Sequence, residues 1–284
     1  MSAKILDGKL ISKLILQEII HSINTRQQLG LKPPALAVIL VGNDPASAIY
    51  VKNKRLACEQ VGIISEFFHL GPDTSQNQLL DLIHQLNNNP NIHGILVQLP
   101  LPRPIKTQAI LDAINIKKDV DGFHPQNMGL LAQGWPILQS CTPLGIMKLL
   151  SVTKVHLPGQ HAVIVGASNI VGKPIALLLL NAGCTTTICN KNVKDLQSMV
   201  SNADILVAAT GQPHLIKGDW IKPNSIVIDV GTTKVNNKLI GDVEFEVAKD
   251  RAAWITKVPG GVGPMTIAYL LKNTLLSQKL LEEN

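Results

Sequence analysis

The stretch that most constrains the fold is residues 163–174, VIVGASNIVGKP. A short β-rich run over 161–165 meets Gly166, and after Gly172 and Pro174 an apolar helical pattern opens at Ile175, Ala176 and Leu177. The order is strand, glycine turn, helix. Such a turn brings backbone N–H groups and a helix N-terminus to one point, where unsatisfied donors and the helix dipole favour a phosphate. The spacing departs from the usual dinucleotide fingerprint, because Ser168 holds the middle glycine position and the second glycine falls late, at Gly172. A glycine turn of any α/β domain satisfies the same pattern, so the rest of the chain must decide.

In the N-terminal half, Leu10, Ile11, Leu14, Ile15, Ile19 and Ile23 recur at helical spacing and end near Gly30. The run ALAVILV (35–41) predicts a buried strand, and Asn43, Asp44 and Pro45 then open a helix to about Val61. Residues 64–70 read as strand, Thr74 as the cap of a helix to about Asn87, and 94–99 as a third strand. Strands alternating with helices imply a parallel sheet covered on both faces, with ligands at the carboxyl ends of its strands.

Polar residues gather at those ends. Ser47, Tyr50 and Lys54 are spaced by three and four and share one helical face, and the third strand ends in Gln98, Leu99 and Pro100. A lysine in an amide- and aromatic-lined pocket loses hydration and becomes a usable base. Taken singly, Lys54 reads more commonly as a solvated helix lysine, Tyr50 equally as a packing residue and Gln98 as a partner for backbone groups, so only their convergence points to function. Residues 118–145, rich in Gly and Pro, keep neither period and predict a long crossing segment. Asp121 within it is a candidate ligand-reading carboxylate or a turn cap.

In the C-terminal half a short helix over 143–151 precedes the strand at His161, and β-rich runs recur at 185–189, 203–209 and 225–230. The glycine turn therefore sits in a second parallel sheet, the context of a Rossmann dinucleotide site. An NAD-preferring site ends its second strand with an acid for the ribose 2′-hydroxyl. Here that place holds Asn190, Lys191 and Asn192. Lys191 would attract a 2′-phosphate, which favours NADP, unless it is only a surface loop charge. The segment VPGGVGPMT (258–266) supplies glycines for close backbone approach and prolines for stiffness, suited to a ligand wall or a hinge.

Composition narrows the class. At 284 residues with 45% hydrophobic and 16% charged residues, the chain can bury a sizeable core. No run is long enough to span a bilayer and the N-terminus lacks a secretory pattern, so the expectation is a soluble cytoplasmic protein without membrane partners. Four cysteines without a CxxC pair and eight histidines without HExxH speak against metal sites and a disulfide framework. A net charge of +6 suits an anionic partner, and aromatics at 3% favour a small anion over nucleic acid.

The segments VGNDPASAIYVKNKRLACEQVGI (41–63), GILVQLPLP (94–102), KDVDGFHPQNMG (118–129), CTPLG (141–145), VIVGASNIVGKP (163–174), VIDVG (227–231) and VPGGVGPMT (258–266) together resemble the bifunctional methylenetetrahydrofolate dehydrogenase/methenyltetrahydrofolate cyclohydrolase family, in the family's order. The resemblance implies two α/β domains with parallel sheets: a folate-binding domain over 1–140 completed by a C-terminal helix over 265–284, and a Rossmann NADP-binding domain over 141–264, with catalysis in the cleft between them. It implies a homodimer acting on reduced folates. By their motif positions Lys54 resembles the catalytic lysine, Gln98 its orienting partner, Tyr50 the residue packed beside the pterin and Asp121 the acid that binds the pterin's donors. Ser47 joins that network, and Leu99, Pro100, Gly260, Gly261 and Pro264 would wall the folate pocket. Gly166, Ala167 and Ser168 would hold the cofactor phosphates, and Thr232 would lie near the nicotinamide. Two departures stand out: Ala167 where many members carry an arginine for the 2′-phosphate, leaving Lys191 as the substitute, and Thr232-Thr233 where aliphatic residues are common. A hydroxy-acid dehydrogenase would explain the C-terminal half but not YVKNK, VQLP and DVDGF together, and a non-catalytic NADP-binding module would not need the Lys–Gln pair.

Overall fold

The computed structural model describes residues 2–236 and 238–283. The chain begins with a strand that its polar start does not announce, β1 (Lys4–Leu6), and continues into α1 (Gly8–Gln28). On α1 the buried stripe is Ile11, Ile15, Ile19 and Ile23, spaced by four, while Leu10 and Leu14 face outward. The ALAVILV run is β2 (Ala35–Val41), buried at every residue. α2 (Pro45–Val61) starts at Asp44, whose carboxylate accepts from the Ser47 amide at 2.7 Å, and stops at Gly62 in the left-handed conformation. β3 (Ile64–Leu70) follows, then α3 (Gln76–Asn88). Ser75 rather than Thr74 caps α3, because Gln78 lies three residues on and completes a reciprocal capping box. β4 (Gly94–Val97) leads to α4 (Thr107–Ala113). The stretch expected as one irregular crossing instead contains α5 (Pro125–Ala132), started by His124 and Pro125, and the first turn of α6 (Cys141–Thr153). Beyond it come β5 (His161–Val165), α7 (Gly172–Asn181), β6 (Thr185–Cys189), α8 (Leu196–Ser201), β7 (Ile205–Ala208), β8 (Ile226–Asp229), a hairpin of β9 (Thr233–Val235) and β10 (Lys238–Ile240), α9 (Phe245–Ala248), β11 (Trp254–Thr256) and α10 (Val262–Glu282).

The chain divides into two compact units, as an α/β chain with two parallel sheets should. One comprises Met1–Ser12 and Thr142–Thr266. Its sheet is parallel throughout, in the order β1-β11-β8-β7-β5-β6. A core of Val163, Val165, Leu206, Val227 and Ile255 lies against it. The expected 1–140 domain thus loses its first twelve residues: β1 pairs in register with β11, Leu6 opposite Thr256, and Leu6 is buried. β5 sits between β6 and β7, so the strand order reverses at the carboxyl end of β5, the position where open α/β sheets take ligands.

The other unit comprises Lys13–Cys141 and Ile267–Asn284. Its parallel sheet has the order β3-β2-β4, extended by a bridge between Ile95 and Asp119. Alternate residues of β2 (Ala35, Ala37, Ile39, Val41) pack with Leu79 and Ile83 of α3 and Ile110 of α4. The C-terminal part of α10 is tied into this unit by polar side chains: Ser277 donates to the carbonyls of His93 and Lys117, Gln278 to that of Lys32, and Glu282 pairs with Arg26.

Candidate functional site

β2 delivers the chain to α2 through Gly42 and the Asp44 cap, and this start places Lys54 in the third turn of the helix, half-buried. β4 ends at Val97, so Gln98 is the first residue beyond the strand, its amide still bonded to Ile39 of β2. The two side chains meet: Lys54 Nζ donates to Gln98 Oε1 at 3.1 Å. Gln98 Nε2 donates to the Leu99 carbonyl at 2.7 Å, which fixes the carboxamide so that its oxygen faces the lysine. An amide acceptor holds the amine in place without the charge pairing a carboxylate would impose.

The second group is the turn after the Ile95–Asp119 bridge. Asp119, fully buried, accepts from the amides of Phe123 at 3.1 Å and His124 at 2.8 Å and from Asn127 Nδ2 at 2.8 Å. The capping role that the sequence leaves open for Asp121 therefore falls to Asp119. Asp121 has no side-chain hydrogen-bond partner among the described residues. Burial pushes its carboxyl up to about 6, with Lys54 pulling down and Asp119 pushing up. Lys118, also buried, donates to the carbonyls of Leu86, Asn87 and Asn89 at 2.7 to 2.9 Å, placing a cation at the C-terminus of α3; burial pushes it down to about 8. Sequence reading missed both residues. The signal available was the pair of adjacent ionisable residues, Lys118 and Asp119, just before the apolar Val120.

In the unit carrying β5 the glycine turn is sterically closed. Gly166 has φ +120°, and a Cβ there would stand 2.2 Å from the Ala209 carbonyl oxygen; a Cβ on Gly172 would stand 1.9 Å from the Gly166 oxygen. α7 starts at Gly172, earlier than the apolar pattern suggests, because Ser168 Oγ accepts from the amides of Val171 at 3.1 Å and Gly172 at 3.3 Å. The amides of Ala167, Ser168, Asn169 and Ile170 have no acceptor among the described residues. Four free donors beside a helix N-terminus fit a diphosphate. Past the end of β6, residues 190–194 contain no acid, and Lys191 is exposed.

Two family models match, the tetrahydrofolate dehydrogenase/cyclohydrolase catalytic domain over residues 6–121 and its NAD(P)-binding domain over 140–281. The chain belongs to the tetrahydrofolate dehydrogenase/cyclohydrolase family. It is 55% identical to a bifunctional protein FolD of Methylobacillus flagellatus over 100% of this chain and 99% of that one. Among solved structures it is similar to the bifunctional FolD methylenetetrahydrofolate dehydrogenase/cyclohydrolase of Campylobacter jejuni (48% identity, TM-score 0.96, 98% of this chain and 99% of that one). It is equally similar in fold to the Trypanosoma brucei FolD complexed with NADP cofactor and inhibitor (37% identity, TM-score 0.96, all of both chains).

The matched catalytic domain of this family ends at residue 121, at the acid the sequence singles out. Of the other expected residues, Tyr50 is on the exposed side of α2, and Ser47 is buried with its amide and hydroxyl both directed to Asp44. Leu99 is half-buried and Pro100 exposed. Gly260, Gly261 and Pro264 fall in the unit of the glycine turn rather than with Lys54, Gln98 and Asp121. There Gly261 packs on the start of α1, since a Cβ on Gly8 would stand 1.7 Å from the Gly261 oxygen, and the Lys9 amide donates to the Gly260 carbonyl. Thr232 is exposed just beyond β8. Nothing in the sequence marked the buried acid pair formed by Asp229, the last residue of β8, and Asp242 beyond it. Asp229 accepts from the amides of Gly231, Asp242 and Val243, and Asp242 from those of Thr210 and Gly211, so the two carboxylates tie three loops together. Burial and the neighbouring Asp242 push Asp229 up to about 7.

Proposed function

We propose that the chain oxidises 5,10-methylenetetrahydrofolate to 5,10-methenyltetrahydrofolate with NADP and hydrolyses the product to 10-formyltetrahydrofolate. The observation that carries the reading is the Lys54–Gln98 contact at the carboxyl ends of a parallel sheet, with the unpaired Asp121 close enough for the Lys54 charge to pull its carboxyl down. NADP, when bound, accepts the hydride of the first step. Asp121 binds the pterin's N–H donors through charge-assisted hydrogen bonds, and Tyr50 packs beside the ring. Ser47, Leu99, Pro100, Gly260, Gly261 and Pro264 complete folate binding. In the hydrolytic step water attacks a cationic carbon and must lose a proton, which Lys54, held by Gln98, receives.

Gly166, Ala167 and Ser168 hold the diphosphate through the free amides of the turn. Lys191 pairs with the 2′-phosphate, supported by the lack of any acid at the end of β6, and Thr232 lies at the nicotinamide end. Following the family resemblance, the protein is a cytoplasmic homodimer with no nucleic-acid partner; among the described residues no helix is long and apolar enough to cross a membrane. Turnover of 5,10-methylenetetrahydrofolate with NADP and with NAD in parallel, following reduced nicotinamide, methenyl and 10-formyl products separately, tests the reading. Reduction with NADP and onward hydrolysis is expected. Reduction with NAD alone would overturn the cofactor assignment, and no turnover from folded protein would overturn the enzyme assignment.

A further inference from the structure

The peptide groups on either side of Asp121 are pinned by side chains with no charge. The Val120 carbonyl accepts from Asn273 Nδ2 at 2.9 Å and from Cys141 Sγ at 3.1 Å. The same Asn273 nitrogen donates to the Gln139 carbonyl at 2.8 Å, so its two N–H bonds go to backbone oxygens, with Cys141 Sγ a longer contact at 3.5 Å. On the far side the Gly122 carbonyl accepts from Ser140 Oγ at 2.9 Å, and its amide donates to the Asp119 carbonyl at 3.0 Å. Gly122 has φ +71° and lies so close to residue 139 that a Cβ would stand 2.3 Å from the Gln139 carbonyl carbon. The turn is therefore locked before and after Asp121, while the Asp121 carboxylate itself is left without a partner.

Asn273 is buried in the middle of α10, far from Asp121 in sequence, and its side-chain amide bonds to Val120, Gln139 and Cys141, none of them assigned to folate or cofactor. A carboxamide with two N–H bonds suits two carbonyls. Leucine has the volume but no donor, and serine has one donor on a shorter arm. Cys141 is buried too, and burial holds its thiol well above the ordinary range, so it stays protonated as the second donor to Val120.

We propose that Asn273 is a positioning residue for folate recognition: its side-chain amide bridges the carbonyls of Val120 and Gln139 and so fixes the direction in which Asp121 presents its carboxylate. The proposal rests on the reading of Asp121 as the folate-binding acid.

The test is a double-mutant cycle on the full-length enzyme with Asn273→Leu, Asp121→Asn and the pair, measuring KM for 5,10-methylenetetrahydrofolate, kcat, KM for NADP and melting temperature. Asn273→Leu is expected to raise the folate KM about tenfold and leave the NADP KM within about twofold. In the Asp121→Asn background the same change is expected to add less than about twofold, because the group it aims is gone. An equal factor in both backgrounds would reduce Asn273 to a structural residue and overturn the proposal. An Asp121→Asn enzyme with unchanged folate KM would overturn the reading of Asp121 and the proposal with it. Loss of folate by Asp121→Asn but not by Asn273→Leu would overturn the proposal alone. Should Asn273→Leu fail to fold, Cys141→Ala and Cys141→Ser decide: alanine is expected to raise the folate KM and serine, which keeps a donor to Val120, to restore it. The same KM in both would overturn the proposal.

Discussion

Adding one methyl group to the glycine turn at Gly172→Ala should separate the two ligands of this enzyme. The new Cβ would stand 1.9 Å from the Gly166 carbonyl oxygen and 3.1 Å from Ala167 Cα, where ordinary contact begins at 3.4 Å. Gly166 has nowhere to retreat, since its own missing Cβ would already be 2.2 Å from the Ala209 oxygen. The turn must open by about 1.5 Å at Ala167 and Ser168, and the Ser168 hydroxyl then leaves the amides of Val171 and Gly172. Overpacking of this kind costs about 1–3 kcal/mol and the hydroxyl bonds about 1 kcal/mol more. The free amides of residues 167–170 are displaced together, and a shift of an ångström or more in a positioning element costs on the order of 100-fold. Isothermal titration with NADP, beside folate titration and a melting curve, reads all three effects. We expect NADP affinity to fall by roughly that factor, folate affinity to stay within about twofold, and the melting temperature to drop on the order of 5–10 °C. NADP affinity within about twofold of the parent, in folded protein, would refute the assignment of this turn to the cofactor phosphates.

Asp121 offers both oxygens as charged acceptors only as a carboxylate. With its carboxyl raised to about 6 from the ordinary 3.8, folate KM should fall as pH rises from 5 to 7 and level off above, and Asp121→Asn should flatten that profile while raising KM throughout. The folded state binds the extra proton between those values, so the contribution of Asp121 to stability is present below 3.8 and lost as pH rises through 6; chemical denaturation at pH 4.5 and 7.5 reads that sign. Lys118→Met keeps the buried stem but leaves the Asn87 carbonyl without its donor, so unfolding free energy should drop by about 2 kcal/mol in urea titration, and an unchanged midpoint would contradict the helix-capping role.

What the sequence made legible and what it hid follow from range. Apolar runs such as ALAVILV and the Asp44–Pro45 cap are local signals, and β2 and α2 fall where they predict. Ser47, Tyr50 and Lys54 are connected by helical spacing alone, but the meeting of Lys54 with Gln98 spans two strands and a helix, so proximity in space had to come from the fold. β1 was hidden because Lys4, Ile5 and Leu6 carry no strand pattern long enough to read; a partner strand 250 residues away makes it one. The same holds for Asn273 and Asp242, whose polar side chains look like ordinary surface residues until carbonyls and amides from distant loops converge on them. The 118–145 stretch misled because Pro125 and Pro143 sit in the first turns of helices and Gly129 and Gly145 lie within them, so these residues do not mark the absence of helix.

The central claim, that Lys54 serves as the base of a second, hydrolytic step in an enzyme that also oxidises its folate, is tested most directly by Lys54→Gln with the two reactions measured separately. Oxidation of 5,10-methylenetetrahydrofolate is followed as reduced nicotinamide, and hydrolysis of added 5,10-methenyltetrahydrofolate as loss of the methenyl absorbance. Hydride transfer needs no base, so the account predicts hydrolysis lowered by roughly 10²–10⁴ with oxidation retained to within about tenfold. Equal loss of both activities from a folded variant would contradict it and make Lys54 a substrate-positioning residue.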